Sequence, residues 1–161
     1  MTRTAARAIA VQLGFCVTMN PAPVEDQLDA FFNEEHYLTL EAEDRLFFEY
    51  PGEKELEYIK SVVQGVASRR EELDSFIEKY SQGWKVGRIS KTALAVMRIA
   101  LFEVLYMDEV PPSAAINEAI ELSKGYDEAE TTAFINGILG SFMRGEIEPA
   151  PQDCADSLPG D

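Results

Sequence analysis

The amino-acid sequence predicts an all-α protein, and three observations carry that reading. Residues 93–107 (ALAVMRIALFEVLYM) hold only Arg98 and Glu103 as charges and no Gly or Pro. Apolar residues elsewhere recur at helical spacing, and no segment shows the alternation of a strand. Finally, Pro21 and Pro23, Pro51-Gly52 and Pro111-Pro112 cut the chain into pieces of helix length.

The 93–107 helix organises the rest. Leu94, Met97, Leu101 and Leu105 share one face, while Ile99, Phe102 and Tyr106 line much of the other. A helix apolar nearly all round is buried on most sides, and fifteen residues fall short of the ~20 needed to span a bilayer. Ser90 is positioned to cap its start.

The other elements follow in chain order. Ala6, Ile9, Ala10, Leu13 and Val17 form the stripe of a first helix over 3–19, with Arg3 and Arg7 to one side. A second helix near 23–34 carries Val24, Leu28, Phe31 and Phe32; residues 36–50 read as a further short helix or turn. From Glu53, the positions Leu56, Ile59, Val62, Val63 and Val66 mark a helix to about Arg69. Gly65 inside it costs ~1 kcal/mol relative to Ala, which predicts a close approach by a neighbouring helix. Leu73, Phe76, Ile77 and Tyr80 form the next helix, and a loop with Gly83, Trp84 and Gly87 leads into the central one. Helices over 113–124 and 128–146 complete the pattern.

Length and charge bound the function. At 161 residues the chain is one domain that can bury a sizeable core without disulfides or a structural metal. The organisation expected is one domain over 1–145, with halves of about 1–50 and 53–145, then a disordered acidic tail over 146–161. Cys16 reads as a small core hydrophobe and Cys154 as a tail residue, a usage that fits the cytoplasm. The net charge of −15 argues against nonspecific binding to nucleic acid or anionic membranes. Its distribution is uneven: residues 22–58 hold twelve acids, whereas 1–20 hold only Arg3 and Arg7, and 83–98 only Lys85, Arg88, Lys91 and Arg98. Two basic islands therefore stand in an acidic protein.

Catalytic patterns are missing from the sequence. His36 is the single histidine and has no metal-ligand companions at zinc spacing. No phosphate-binding glycine loop or nucleophile elbow occurs. The expectation is a binding protein with no cofactor and no metal, and not an enzyme.

Three stretches carry a resemblance. Val96-Met-Arg-Ile-Ala-Leu-Phe-Glu103 is followed by Val110-Pro111, then Ala115-Ile-Asn-Glu-Ala-Ile-Glu-Leu-Ser-Lys124, then Phe134-Ile-Asn-Gly-Ile-Leu139. In that order and spacing they closely resemble the NusB family of bacterial transcription antitermination factors, over about residues 1–145, with 36–52 matching poorly. The resemblance implies a compact helical bundle of about seven helices in two halves. It also implies a heterodimer with NusE, a small-subunit ribosomal protein, that binds the single-stranded boxA element of ribosomal RNA leaders. That heterodimer serves the RNA polymerase antitermination complex. Relatives occur as monomers and as homodimers.

Residue by residue, the resemblance places RNA contacts at Arg3 and Arg7, where the family's first helix opens with several arginines. It places them also at Phe15, which follows Val11-Gln12 where the family has Tyr, and at Tyr80. Phe15 reads equally as a core residue. Glu130 matches an acidic position at the RNA edge. Lys85, Arg88 and Lys91 extend the site on charge alone, since phosphate contacts supply much of RNA affinity. Asn136-Gly137 reads as a packing device: Gly for a close helix, Asn for a buried backbone group. Arg98 calls for a carboxylate from Glu118 or Glu121; the same two glutamates could instead face NusE. The second functional reading is a module that binds NusE with little or no RNA affinity. Fusion to a ribosomal RNA methyltransferase, known among NusB-like domains, finds no room in this chain.

Overall fold

The computed structural model describes residues 1–126 and 128–148. Among the described residues eight α-helices follow one another: α1 Arg3–Met19, α2 Val24–Phe31, α3 Glu34–Leu40, α4 Glu53–Ser68, α5 Arg70–Tyr80, α6 Lys91–Tyr106, α7 Pro112–Tyr126 and α8 Ala129–Phe142. Short 3₁₀ turns at Arg45–Phe47 and Val86–Arg88 interrupt the loops, and a π-helical turn at Met143–Ile147 follows α8. Among the described residues there is no strand, and no helix is long and apolar enough to cross a membrane.

Helix α6 is the axis. Every residue from Ala93 to Glu103 is buried, and α1, α4, α5, α7 and α8 all pack against it. Ser90 caps it as expected, its Oγ accepting from the Ala93 N–H at 3.1 Å. At Thr2, Oγ1 likewise accepts from the Ala5 N–H and starts α1. Gly65 answers the expectation of close approach: a Cβ there would collide with the ring of Phe102 on α6. Its propensity cost is thus the condition for α4 to lie against α6.

The 36–50 segment resolves into α3 and the Arg45–Phe47 turn, held by aromatic contacts, one stacked and the others edge-on. Tyr37 packs on Phe32, Phe47 and Tyr50 at centroid separations of 5.0–6.0 Å. The Tyr50 hydroxyl closes the unit by donating to the Phe32 carbonyl at 2.7 Å.

Four expectations are corrected. Cys16 is exposed and not part of the core. Asn136 and Gly137 are both exposed, and nothing lies within 4 Å of a Cβ built at Gly137, so they are not a packing device. Arg98 pairs with Asp74 of α5 through Nε and Nη2, at 2.7 and 2.9 Å, and not with Glu118 or Glu121. Glu146 is structured: it accepts from Lys79 Nζ at 2.7 Å and from the Tyr80 hydroxyl. Of the expected tail, residues 149–161, including Cys154, lie outside the described residues.

Candidate nucleic-acid interface

The first basic island is largely spent on the fold. Arg7 is buried, and its Nε sits 3.0–3.1 Å from both carboxylate oxygens of Glu103 on α6. The Tyr58 hydroxyl of α4 donates to the same carboxylate. Glu118 of α7 adds a longer contact to Arg7 Nη1 at 3.6 Å. Four helices meet at this cluster. Burial pushes the Tyr58 phenol well above its ordinary pKa, and the adjoining Glu103 charge pushes it further. Arg7 is thus a correction to the expected RNA contacts: its guanidinium is the counter-charge of a buried glutamate.

Arg3 is half-exposed and also engaged. Its Nε donates to Glu55 at 2.8 Å, and its guanidinium stacks 4.1 Å above the Tyr58 ring. Tyr80 is half-buried at the end of α5, its hydroxyl directed to Glu146 and its ring edge-on to Phe142. Glu118 accepts from the Thr4 hydroxyl at 2.9 Å, so it serves the α1–α7 contact. Glu121 is exposed and, among the described residues, pairs only with Lys124 of its own helix.

The second island is different. Between α5 and α6 the chain turns through Gln82 and Gly83, at φ of 54° and 97°. Left-handed backbone is cheap at Gly and costly at Gln. The buried Ser81 hydroxyl steadies the turn at 2.8 Å from the Trp84 carbonyl, and Glu78 accepts the Val86 N–H at 3.1 Å. The result lifts Lys85 and Arg88 into solvent. Neither they nor Lys91 pairs with any carboxylate among the described residues.

Aromatic surface lies beside these cations. Trp84 is 51% exposed, and its ring meets Phe134 of α8 at 5.7 Å and 64°. Together with Arg88, Ile89, Ser90, Ala93, Glu130 and Thr131 they line an open groove of about 390 Å³. On the other side of the Val86–Arg88 turn, Val86 and Gly87 line a cleft with Gly14 and Thr18 of α1. Phe15, 37% exposed, flanks that face of α1, about 100° round from Gly14.

The structure therefore places Arg88 in one groove with the Trp84–Phe134 pair and Lys91 in the adjoining cleft with Gly14 and Thr18 of α1, whereas Lys85 and Phe15 are exposed and line neither. It does not bring Arg3 there: the twelve residues from Arg3 to Phe15 span roughly 18 Å of helix. Tyr80 points to the end of α8. Sequence reasoning missed Trp84 and Phe134, the first read as a loop residue and the second as core. The available signal was an isolated Trp set between glycines in an acid-free segment.

Such a surface, cations flanking exposed rings beside an open groove, suits a single-stranded nucleic acid, whose bases stack on rings while phosphates meet cations. Comparisons with known proteins agree on the lineage. The NusB family model matches residues 4–144. The transcription antitermination protein NusB of Acetivibrio thermocellus is 40% identical over 150 residues, covering 93% of this chain and 94% of that protein. Its counterpart in Ruminiclostridium cellulolyticum is 35% identical, covering 91% and 92%. In structure, the chain is similar to T. maritima NusB at a TM-score of 0.68, with 23% identity and coverage of 95% and 98%. It is also similar to a chain in the crystal structure of a plectonemic RNA supercoil at a TM-score of 0.71, with 21% identity and coverage of 90% and 96%. With a family model spanning nearly the whole described domain and relatives matched almost end to end, this chain belongs to the NusB family.

Proposed function

We propose that the chain is a transcription antitermination factor that binds boxA-type single-stranded RNA as a heterodimer with NusE, within the RNA polymerase antitermination complex. Family membership supports the role, and one structural observation supports the RNA face. In a chain of net charge −15, Arg88 lines one groove with Trp84 and Phe134, Lys85 follows Trp84 directly, Lys91 lines the adjoining cleft, and none of the three pairs with a carboxylate among the described residues. In this reading the protein is a cytoplasmic binding partner and not a catalyst. Lys85, Arg88 and Lys91 neutralise phosphates, Trp84, Phe134 and Phe15 offer stacking faces, and Glu130 at the groove edge repels phosphate and restrains affinity. The partner supplies the positive charge that this chain lacks. Arg3 remains a peripheral contact at the far end of α1, and Glu121 is the glutamate left exposed for NusE.

Fluorescence anisotropy of a labelled boxA-type RNA tests the proposal. The RNA is titrated with this chain, with NusE, and with both, each against a scrambled RNA. The expected result is selective binding that is much tighter with both proteins and weaker at high salt.

A second reading has its own observation. Arg7, Arg3 and Tyr80, three of the expected RNA contacts, are engaged by Glu103, Glu55 and Glu146. A chain that binds NusE yet leaves the RNA no better held than by NusE alone is an interaction module, and that outcome would displace the first reading.

A further inference from the structure

A second cleft, behind the Val86–Arg88 turn, gathers cations from separate helices. Arg70 opens α5, Lys91 opens α6, and Arg98 lies two turns further along α6 on the same face as Lys91. All three line one cavity of about 180 Å³, together with Gly14 and Thr18 of α1 and Val86 and Gly87 of the turn. No Asp or Glu lines it.

The cations are not equivalent. Arg98 is 8% exposed and fixed by Asp74, which takes its Nε and Nη2. Its Nη1 makes no hydrogen bond among the described residues. Arg70 and Lys91 are exposed and pair with no described carboxylate. Asp74 thus offsets one charge of three, and two positive charges are left around one small cavity. In a protein with 29 acids and 14 Lys and Arg, an uncompensated cation cluster is unusual, because carboxylates are everywhere available. Next to this cleft is a second cavity of about 210 Å³, walled by Ala10, Val17, Val63, Val66 and Ile99, and sharing Arg70 and Arg98 with it. Apolar walls weaken the screening of charges at the mouth.

We propose that this cleft binds a phosphate group, and that the group belongs to the backbone of the RNA strand lying in the Trp84–Phe134 groove. The inference rests on the RNA-binding reading and adds residues to it. Arg88 faces the groove while Val86 and Gly87 face the cleft, so a strand passes from one to the other over a single 3₁₀ turn about 6 Å long. Arg98, pinned by Asp74, presents a fixed donor; Arg70 and Lys91 close on the phosphate from either side. The contact is blind to sequence, because only phosphate is read.

The test uses the full chain with NusE and the double variant Arg70→Gln, Lys91→Gln. Both positions are exposed, so circular dichroism and thermal unfolding should match wild type. Affinity for boxA-type and scrambled RNA should fall alike, by roughly tenfold, leaving their ratio unchanged. The slope of log affinity against log salt should shrink by about 0.7 per lost contact. In a second arm, inorganic phosphate should shift the amide resonances of Arg70, Gly87 and Lys91 in the wild-type chain and not in the variant. If wild type binds RNA, the variant does so with equal affinity and slope, and phosphate shifts none of those resonances, the cleft assignment is overturned while the RNA reading stands. If phosphate shifts those resonances but RNA affinity is unmoved, the cleft takes free phosphate and the RNA source is overturned. If wild type with NusE binds no RNA, the functional reading fails and takes this inference with it.

Discussion

Replacing Glu103 by Ala should destabilise the fold by about 3–5 kcal/mol, because it leaves the Arg7 charge buried without its main partner. Arg7 is 7% exposed and Glu103 is 1% exposed, so water cannot take the place of the lost carboxylate. Glu118, at 3.6 Å from Nη1, answers only part of the guanidinium. For a domain of this size the loss lowers the thermal midpoint by roughly 10 °C, measurable by calorimetry. Removing both charges should cost less: Arg7→Met with Glu103→Leu leaves no unpaired charge, only the Tyr58 hydroxyl without its acceptor, and its unfolding free energy should lie above that of Glu103→Ala alone. Equal losses in the single and double variants would mean that packing, not charge, governs the site.

The same cluster sets the alkaline limit. Burial and the Glu103 charge hold the Tyr58 proton well past its ordinary range. Unfolded tyrosine ionises near pH 10. Above that pH the folded state therefore carries the extra proton, and stability falls as pH rises. Tyr37, pushed up to about 12 by burial, adds to the loss. Tyr58→Phe should flatten the fall without abolishing it.

Charge reversal of the second island should produce the largest effect on RNA. Lys85→Glu with Arg88→Glu removes two phosphate partners and adds two repulsive charges beside the groove. Affinity of the heterodimer for boxA-type RNA should drop roughly 100-fold, and the salt slope should fall by about 1.4. Neither side chain forms an ion pair among the described residues, so the thermal midpoint should stay within about 2 °C of wild type. Arg3→Ala is the internal comparison: it sits roughly 18 Å along α1 from Phe15 and already binds Glu55, and a change below threefold is expected. A greater loss at Arg3 than at the island would move the RNA face to the start of α1.

What sequence could and could not reveal follows from range. The burial of α6, its Ser90 cap and the tight approach at Gly65 are written in local spacing and in one costly glycine, and all three appear in the fold. The family was legible because three motifs retain their order along the chain. Arg7 was misread because its partner is 96 residues away, and an arginine on a helix edge looks the same whether it meets a phosphate or a buried glutamate. Arg98 and Asp74 failed for a similar reason: helix pairing, not spacing, decides which acid lies opposite. Trp84 and Phe134 are separated by two helices, α6 and α7, so the groove they line exists only after α8 folds back on the α5–α6 loop. Asn136-Gly137 shows the opposite error, a sequence oddity credited to packing that lies open to solvent.

Trp84 is the single tryptophan of the chain and reports directly on the groove. Its emission should be followed while boxA-type RNA is added to the heterodimer, with the Trp84→Phe variant run in parallel to subtract the partner's signal. The expected result is quenching that saturates at one RNA per heterodimer, is much weaker with scrambled RNA, and is reversed by salt. RNA capture seen by anisotropy with Trp84 emission unchanged would place the nucleic acid elsewhere on the protein and contradict the interface described above.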